Sequence, residues 1–175
     1  MTAIIPQQVE LTEIVHRLMR SGLSEVSRGK VSHMFEIPGH PELLLKYASN
    51  RISIYDWVLP TLVPYKGAVL TAMTVFWLRH VLSDVENHLV AYGRGIDRYL
   101  PEELRGNQEL QTQALVVRKL EMILVECIVR GFLTGSGWDS YQKRGEVSGN
   151  KLPPGLHDGS ILPSPIFTPR SEEHT

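Results

Sequence analysis

Four consecutive residues, Arg28-Gly29-Lys30-Val31, lie between two segments with the composition of β-strands. A glycine in a strand–turn–strand loop lets backbone N–H groups approach a phosphate, and the neighbouring lysine supplies positive charge. The same residues would also suit an ordinary hairpin turn with a solvated lysine. Taken alone, the motif favours that plainer interpretation.

A second polar group runs from Asn50 to Asp56 and is followed by Lys66-Gly67. It is a second candidate for residues that carry chemistry. In isolation, a surface turn and a lysine in a loop explain it better.

The strongest candidate is the unbroken run of residues 115–138. Its segment 124–130, LVECIVR, is apolar enough to predict one buried strand. Alternation along a strand would place Glu126, Ile128 and Arg130 on one face and would turn Cys127 to the other, as a packed thiol. A charge in such a strand must be paired or must meet a ligand.

The predicted strand leads into a loop that contains glycines and hydroxyl side chains, among them Thr134, Gly135 and Ser136. An arginine at a strand end beside such a loop can grip a phosphate or a carboxylate, because its guanidinium binds bidentately. A buried Glu–Arg ion pair next to a glycine turn explains the residues equally well. Both interpretations stay open on physical grounds.

Helical spacing and β-rich runs predict the elements that would position these groups. The predicted helices are Val9 to Arg20, Val69 to Ser83, a turn at Pro101 to Leu104, and Gly135 to Arg144. The predicted strands are two within Leu23 to Ile37, then Glu42 to Ala48, His88 to Tyr92, Ala114 to Arg118 and the run 124–130. After Gly149 the prolines predict an extended arm that is held only by docking. The fold class is α+β, with a mixed or antiparallel sheet and flanking helices.

Composition narrows the class of protein. The chain has 175 residues, 42% of them apolar and 21% charged, with a formal net charge of -1. This charge balance does not suggest nucleic-acid binding. The single cysteine, Cys127, excludes an internal disulfide and fits a reducing compartment. Without a signal peptide or an apolar stretch of ~20 residues, we expect a cytoplasmic protein with no membrane partner.

Several segments resemble the SAICAR synthetase family in one order and spacing. Residues 115–138 resemble its signature LVV(R/K)…PVECVVRGYLTGSGW. The other matching segments are RGKV, NRISIYDWVLP, KGAVLTAMTVFWL, YQKRGEVSGNKLPPGL and LPSPIFTPRSEE. Together they cover residues 27 to 173, nearly the whole chain. The resemblance implies the N-terminal, ATP-binding part of this ATP-grasp-like fold.

The resemblance also implies a reaction and its ligands. Family enzymes join L-aspartate to carboxyaminoimidazole ribonucleotide, using ATP and Mg²⁺, and release SAICAR, ADP and phosphate. We therefore expect a carbon–nitrogen ligase of purine biosynthesis with small-molecule substrates; whether it forms a homo-oligomer stays open. The implied division is a helical extension over 1–22, a nucleotide-covering subdomain over 23–112, the start of a central domain over 113–150, and an arm over 151–175.

Individual roles follow from matched positions. Gly29 and Lys30 should cover the ATP phosphates, and Arg118 or Lys119 should reach the nucleotide. Glu121, Met122 and Ile123 should form a hinge beside adenine. Arg130, Gly135 and Ser136 should hold the ribonucleotide, and Glu126 would orient Arg130 or meet the ligand.

The chain departs from the family pattern in three places. Ser32 and His33 replace an Arg-Asp pair after the first loop, which removes one phosphate-facing charge, and Asn50 replaces an aspartate. The segment that would carry the magnesium carboxylates does not appear, so we expect either a truncated form or part of a longer protein. The alternative function is then an inactive nucleotide-binding or interaction module derived from the enzyme. A generic ATP-site domain fits less well, because VRGFLTGSG belongs to the family's ribonucleotide pocket.

Overall fold

The computed structural model describes residues 12–54 and 57–171, which form two compact units. The first unit extends to Leu120 and the second begins at Glu121. Within the described residues, no helix has the length and apolar character needed to cross a bilayer. The four-part division predicted from the sequence stays a prediction.

The first unit is built on a five-stranded antiparallel sheet in the order β1-β2-β3-β7-β6. Its strands are β1 (Ser24–Arg28), β2 (Ser32–Ile37), β3 (His40–Ala48), β6 (Leu89–Tyr92) and β7 (Ala114–Arg118). A small separate hairpin pairs β4 (Ser53–Ile54) with β5 (Trp57–Val58). All five strands of this sheet were predicted from the sequence, and the antiparallel arrangement was one of the two that were predicted.

Helices cover this sheet. They are α1 (Glu13–Arg20), α2 (Lys66–Phe76) with a π-helical continuation (Trp77–Val81), and α3 (Gln108–Gln113). Two 3₁₀ segments, Gly93–Tyr99 and Glu102–Leu104, connect β6 to α3. The predicted first helix is seen from Glu13 onward; its residues before Thr12 lie outside the described part of the chain.

Two apolar clusters fill the two faces of the sheet. On one face Leu45, Tyr47 and Val116 pack with α1, α3 and the 3₁₀ segments. On the other face Leu44 and Leu115 pack with the end of α2 and its continuation. Because β3 and β7 contribute alternate residues to both clusters, they are the central strands of the unit.

The helix predicted over Val69 to Ser83 starts earlier, at Lys66, and ends at Val81. The backbone N–H of Gly67 donates to Oδ1 of Asn50 at 2.9 Å and thereby satisfies a donor of the first turn. The second polar group of the sequence is therefore a structural joint between the end of β3 and the start of α2. Tyr55 and Asp56 of that group lie outside the described residues.

The second unit consists of short paired strands around α4 (Ser136–Arg144). The pairs are β8 (Val125–Glu126) with β13 (Arg170–Ser171), β9 (Val129–Phe132) with β12 (Ile161–Phe167), and β10 (Glu146–Val147) with β11 (Asn150–Lys151). Leu133, Val147 and Leu162 form its core. The Pro-rich arm is held by strand pairing, and its two prolines within β12 lie where the register with β9 shifts.

The prediction of one buried strand over residues 124–130 is wrong. The segment forms β8 and β9, which pair with different strands, and Val129 is 69% exposed. Each of these strands has a single partner strand within the described part of the chain. Glu126 and Arg130 therefore do not share one strand face, and Cys127 is exposed instead of packed.

Candidate functional site

The hairpin loop between β1 and β2 is a tight turn that presents Lys30 to solvent. The Gly29 N–H donates to the Ser32 carbonyl at 2.9 Å, which closes the turn. On the far side of the loop, the Val31 carbonyl accepts from the backbone N–H of Ser49 at 3.0 Å and from its hydroxyl at 2.8 Å. The loop is thus fixed at its exit to the chain that follows β3.

A buried polar cluster lies beside this loop. His33 is fully buried and Arg51 is 4% exposed. The Arg51 guanidinium contacts the His33 ring at Nε2, and Nε of the same arginine donates to Ser49 Oγ at 3.3 Å. His33 Nδ1 lies 2.5 Å from Oε1 of Glu25.

The ionisation of this cluster follows from its partners. The Arg28 guanidinium, hydrogen-bonded to Glu25, lowers the pKa of that carboxyl. Burial lowers the pKa of the His33 imidazole, and the charge of Arg51 acts in the same direction. Burial also lowers the pKa of Arg51. In the sequence, His33 was recognised only as a departure from the family pattern after the first loop, and the cluster was not predicted.

A cavity of about 530 Å³ lies between α2 and the sheet, next to the loop. Val31, Ser32, Lys46 and Ala48 line it from the strand side. The helix side supplies mostly apolar side chains together with two threonine hydroxyls. A largely apolar cavity with a few polar groups is the usual character of a small-molecule site.

Arg118 and Lys119 lie at the end of β7 and are engaged in surface ion pairs. The Arg118 guanidinium lies 3.1 Å from a Glu86 carboxylate oxygen, and Lys119 Nζ lies 2.6 Å from Glu36. A nucleotide that used either residue would have to compete with these carboxylates, although exposed pairs of this kind are weak.

The predicted hinge, Glu121 to Ile123, has no regular secondary structure and is exposed, with Met122 70% and Ile123 80% accessible. The Ile123 carbonyl accepts from the Val125 N–H at 2.8 Å. Whether this segment contacts adenine stays a prediction.

Arg130 lies in a second cavity, of about 270 Å³, within the second unit. Its Nε donates to Thr168 Oγ1 at 3.1 Å, its Nη2 to Ser136 Oγ at 3.3 Å, and its Nη1 to the Thr134 carbonyl at 3.4 Å. In the described part of the chain the guanidinium pairs with no carboxylate, so Glu126 does not orient it. Among the described residues, the guanidinium is therefore directed by neutral acceptors.

The same cavity includes the N-terminal turn of α4. Gly135 precedes the helix at φ 52 and ψ -131, a conformation that L residues rarely adopt, and Gly137 lies against the Arg130 guanidinium. A Cβ at Gly137 would come within 3.5 Å of Arg130 Nη1. A helix N-terminus and an arginine together favour an anion.

The cavity has further polar lining residues that were not predicted from the sequence, namely Ser140, Arg144, Ser148, Thr168 and Arg170. Arg144 Nη2 donates to Ser140 Oγ at 2.8 Å, one helical turn away, which holds the guanidinium along α4. The i,i+4 spacing of Ser140 and Arg144 behind Ser136 was a usable signal. Thr168 carries no local signal, because it reaches Arg130 only through the pairing of β12 with β9.

Residues 25–175 match the sequence pattern of SAICAR synthetase. This chain belongs to the SAICAR synthetase family. Among relatives, the Saccharopolyspora erythraea phosphoribosylaminoimidazole-succinocarboxamide synthase is 48% identical over 148 residues, which are 85% of this chain and 46% of that protein. The Thermodesulfovibrio yellowstonii enzyme of the same name is 44% identical over 152 residues, which are 86% of this chain and 50% of that protein.

A solved SAICAR synthase from Saccharomyces cerevisiae, in complex with SAICAR, has the same fold as this chain. Its TM-score is 0.78 at 40% identity, over 87% of this chain and 52% of that one. The α+β fold expected from the sequence is thereby confirmed. This chain spans about half the length of the curated relatives it matches.

In this member of the SAICAR synthetase family, Arg130 and Ser136 line one cavity, and Gly135 directly precedes Ser136 at the start of α4. Gly29 and Lys30 form one exposed turn, and Glu126 lies apart from Arg130 on another strand. Which ligand each group binds stays a prediction.

Proposed function

We propose that this chain binds ATP and carboxyaminoimidazole ribonucleotide as part of a ligase that joins the ribonucleotide to L-aspartate. The observation that carries the proposal is the Arg130 guanidinium, aimed by Thr168 and Ser136 into a cavity at the N-terminus of α4. That arrangement suits the phosphate of a ribonucleotide, since guanidinium and helix N–H groups both bind phosphate oxygens. Membership of the SAICAR synthetase family and the 40% identity to a protein solved with SAICAR support the assignment.

The reaction needs ATP because a carboxylate resists attack by an amine. In the proposed sequence a carboxylate oxygen of the ribonucleotide attacks the γ-phosphorus of ATP, and ADP leaves. The aspartate amine then attacks the acyl carbon of the resulting acyl phosphate, loses a proton and expels phosphate. The role of this chain is to hold the ribonucleotide at Arg130 and the ATP phosphates at the Gly29-Lys30 turn, which aligns the reacting groups.

Magnesium has no assigned ligands among the described residues. Across residues 12–54 and 57–171, no three or more His, Cys, Asp or Glu side chains are grouped to hold a metal ion. We therefore assign Mg²⁺ no residue here and no step in the proposed reaction.

Calorimetric titration with carboxyaminoimidazole ribonucleotide tests the ribonucleotide assignment. Arg130→Ala should weaken binding by about tenfold or more, because it removes a charged hydrogen-bond donor set. ATP binding should be unchanged. Lys143→Ala is the matched control: it removes an exposed cation from α4 that does not line the cavity. Equal affinity of the Arg130→Ala variant and the wild type would refute the assignment.

The second candidate function is a nucleotide-binding or interaction module without turnover. The lack of a metal-binding group among the described residues favours it. Incubation of the chain with ATP, Mg²⁺, L-aspartate and the ribonucleotide, followed by measurement of ADP, separates the two functions. Substrate-dependent ADP release supports the ligase, and binding without release supports the module.

A further inference from the structure

A chain of hydrogen bonds joins the two flanks of the Gly29-Lys30 turn through the interior of the first unit. Starting from the exit of the turn, the Val31 carbonyl accepts from Ser49, whose hydroxyl accepts from Arg51. The Arg51 guanidinium then contacts the His33 ring, and His33 contacts Glu25. Glu25 finally accepts from Arg28 Nε at 3.0 and 3.1 Å, at the entrance of the turn. His33 is the middle member of this chain of contacts.

The partners of His33 determine its protonation state. An arginine can only donate hydrogen bonds, so Nε2 of His33 must accept from Arg51. The ring proton is then on Nδ1, from which it is donated to Glu25 Oε1 over 2.5 Å. The contacts on both sides are satisfied only by the neutral Nδ1–H tautomer. A second proton on Nε2 would place two donors against each other.

The charged groups around the His33 ring disfavour an additional positive charge on it. β1 presents Glu25 and Arg28 to the ring, the segment after β3 presents Arg51, and β3 presents the Tyr47 ring at 6.2 Å. The Tyr47 hydroxyl is itself bonded to Glu109 of α3 at 2.6 Å. The two positive charges of Arg28 and Arg51 exceed the one negative charge of Glu25, so the groups next to the ring already carry a net positive charge. Because His33 is fully buried, water cannot compensate for a further charge.

We propose that neutral His33 is a positioning residue for the Gly29-Lys30 turn, and that proton uptake by its ring releases the turn. Protonation breaks the Arg51 contact, Arg51 then withdraws from Ser49, and the Val31 carbonyl loses its fixed partner. The consequence for nucleotide affinity rests on the proposed function, since that function assigns the ATP phosphates to this turn.

Two substitutions with side chains that do not ionise separate the contact of His33 with Arg51 from its contact with Glu25. In His33→Gln the amide oxygen can still accept from Arg51. In His33→Asn the shorter amide can still donate to Glu25 but cannot reach Arg51. His88→Gln is the matched control, because His88 is a partly buried histidine of the same unit that lies outside this chain of contacts.

Hydrogen exchange of the Ser49 amide, which donates to the Val31 carbonyl, reports on the turn in the full chain. Because burial lowers the pKa of His33 below its ordinary value of 6.5, the comparison runs from about pH 7.5 to about pH 4.5, below the range in which an exposed histidine titrates. Over that range wild type and His88→Gln should lose about tenfold of their protection after correction for intrinsic rates. His33→Gln should keep its protection at both values, and His33→Asn should show low protection at both. Equal protection of wild type at both pH values, or an equal loss in His33→Gln, overturns the proposal.

Nitrogen NMR of the His33 ring provides a test that needs no variant. At about pH 7.5 the ring should carry its proton on Nδ1 and none on Nε2. The opposite tautomer, or a charged ring at that pH, overturns the proposal.

Titration with ATP distinguishes this inference from the function on which it rests. The Kd of wild type should rise about tenfold more than that of His33→Gln over the same pH range, and the ionisation of ATP itself is common to both proteins. Absence of ATP binding at every pH would refute the proposed function, while the exchange of Ser49 would still decide the role of His33.

Discussion

Thr168 determines where Arg130 points. Its hydroxyl accepts from Arg130 Nε and donates to the Ile128 carbonyl at 3.3 Å, and the residue is 4% exposed. Thr168→Val keeps the shape but removes both bonds, so the guanidinium gains freedom. We expect affinity for the ribonucleotide to fall by about fivefold, the effect of one net hydrogen bond of ~1 kcal/mol, as measured by calorimetry.

Thr112→Val is the control for this substitution, because the Thr112 hydroxyl bonds only to carbonyls of its own helix. Its affinity should equal that of wild type. Equal affinity of Thr168→Val and wild type would mean that Ser136 and Thr134 suffice to aim Arg130.

Arg144 gives the second cavity another cation, which the sequence motifs did not indicate. It is held by Ser140 along α4 and lines the same cavity as Arg130. Arg144→Gln should weaken binding of a phosphorylated ribose ligand and make the binding less sensitive to salt, because fewer exposed charges act on the phosphate. Titrations at low and high ionic strength measure both effects. A salt dependence identical to that of Lys143→Gln would contradict a role for Arg144 in the cavity.

At the scale of elements, the joint between β3 and α2 depends on a glycine. A Cβ at Gly67 would lie 2.1 Å from the Ala48 carbonyl oxygen and 2.4 Å from Gln113 Oε1. Gly67→Ala must therefore move α2 away from the sheet. We expect the free energy of unfolding to fall by about 1–3 kcal/mol, as for other overpacked sites, in urea denaturation followed by circular dichroism.

Gly95→Ala is the matched control, since a Cβ there would meet only the Ala91 side chain, at 3.9 Å. It should be near neutral. A Gly67→Ala variant as stable as Gly95→Ala would show that α2 is free to shift, and that its close approach to β3 contributes little to stability.

The central strands show why part of the fold could be predicted. Leu43, Leu45 and Tyr47 alternate with Leu44 and Lys46 along β3, and the turn residues Pro38-Gly39 fix the hairpin that precedes it. Periodicity and turn chemistry both act over a few residues, so they can be read from one segment.

The failure at residues 124–130 has the opposite cause. An apolar run indicates that a strand prefers burial, but not which layer covers it or whether it pairs throughout. Here β8 and β9 take different partners from the C-terminal arm, tens of residues away. The same limit explains the candidate sites. Residues adjacent in sequence, Gly135 and Ser136, were predicted, whereas Thr168 and the pairing of His33 with Arg51 depend on tertiary contacts.

At the scale of the molecule, each unit carries its own core and its own candidate anion site. The first unit holds the Gly29-Lys30 turn above clusters that fill both faces of its sheet. The second unit holds Arg130 beside a small core around Leu133. A ligand for either site can therefore be tested against variants in the other unit, which serve as internal controls for folding.

The buried cluster of the first unit makes stability depend on pH in a definite direction. The pKa of Glu25 is lowered from 4.5 by its hydrogen bonds to Arg28, so its contribution is present above the unfolded value and is lost as pH falls through the folded pKa. The pKa of His33 is lowered from 6.5, so the unfolded chain takes up a proton before the folded chain does. Because of His33, the free energy of unfolding falls as the solution is acidified below about pH 6.5, and Glu25 adds to the fall below about pH 4.5.

Urea denaturation at several pH values measures this slope, and Glu25→Gln should flatten its acidic part because the amide does not titrate. Glu36→Gln is the control, since that carboxylate pairs with Lys119 at the surface and is 44% exposed. If Glu25→Gln and Glu36→Gln retain the same acid dependence as wild type, the carboxylates that govern acid unfolding lie elsewhere. The buried cluster would then fix the geometry of the turn without linking its folding to protons.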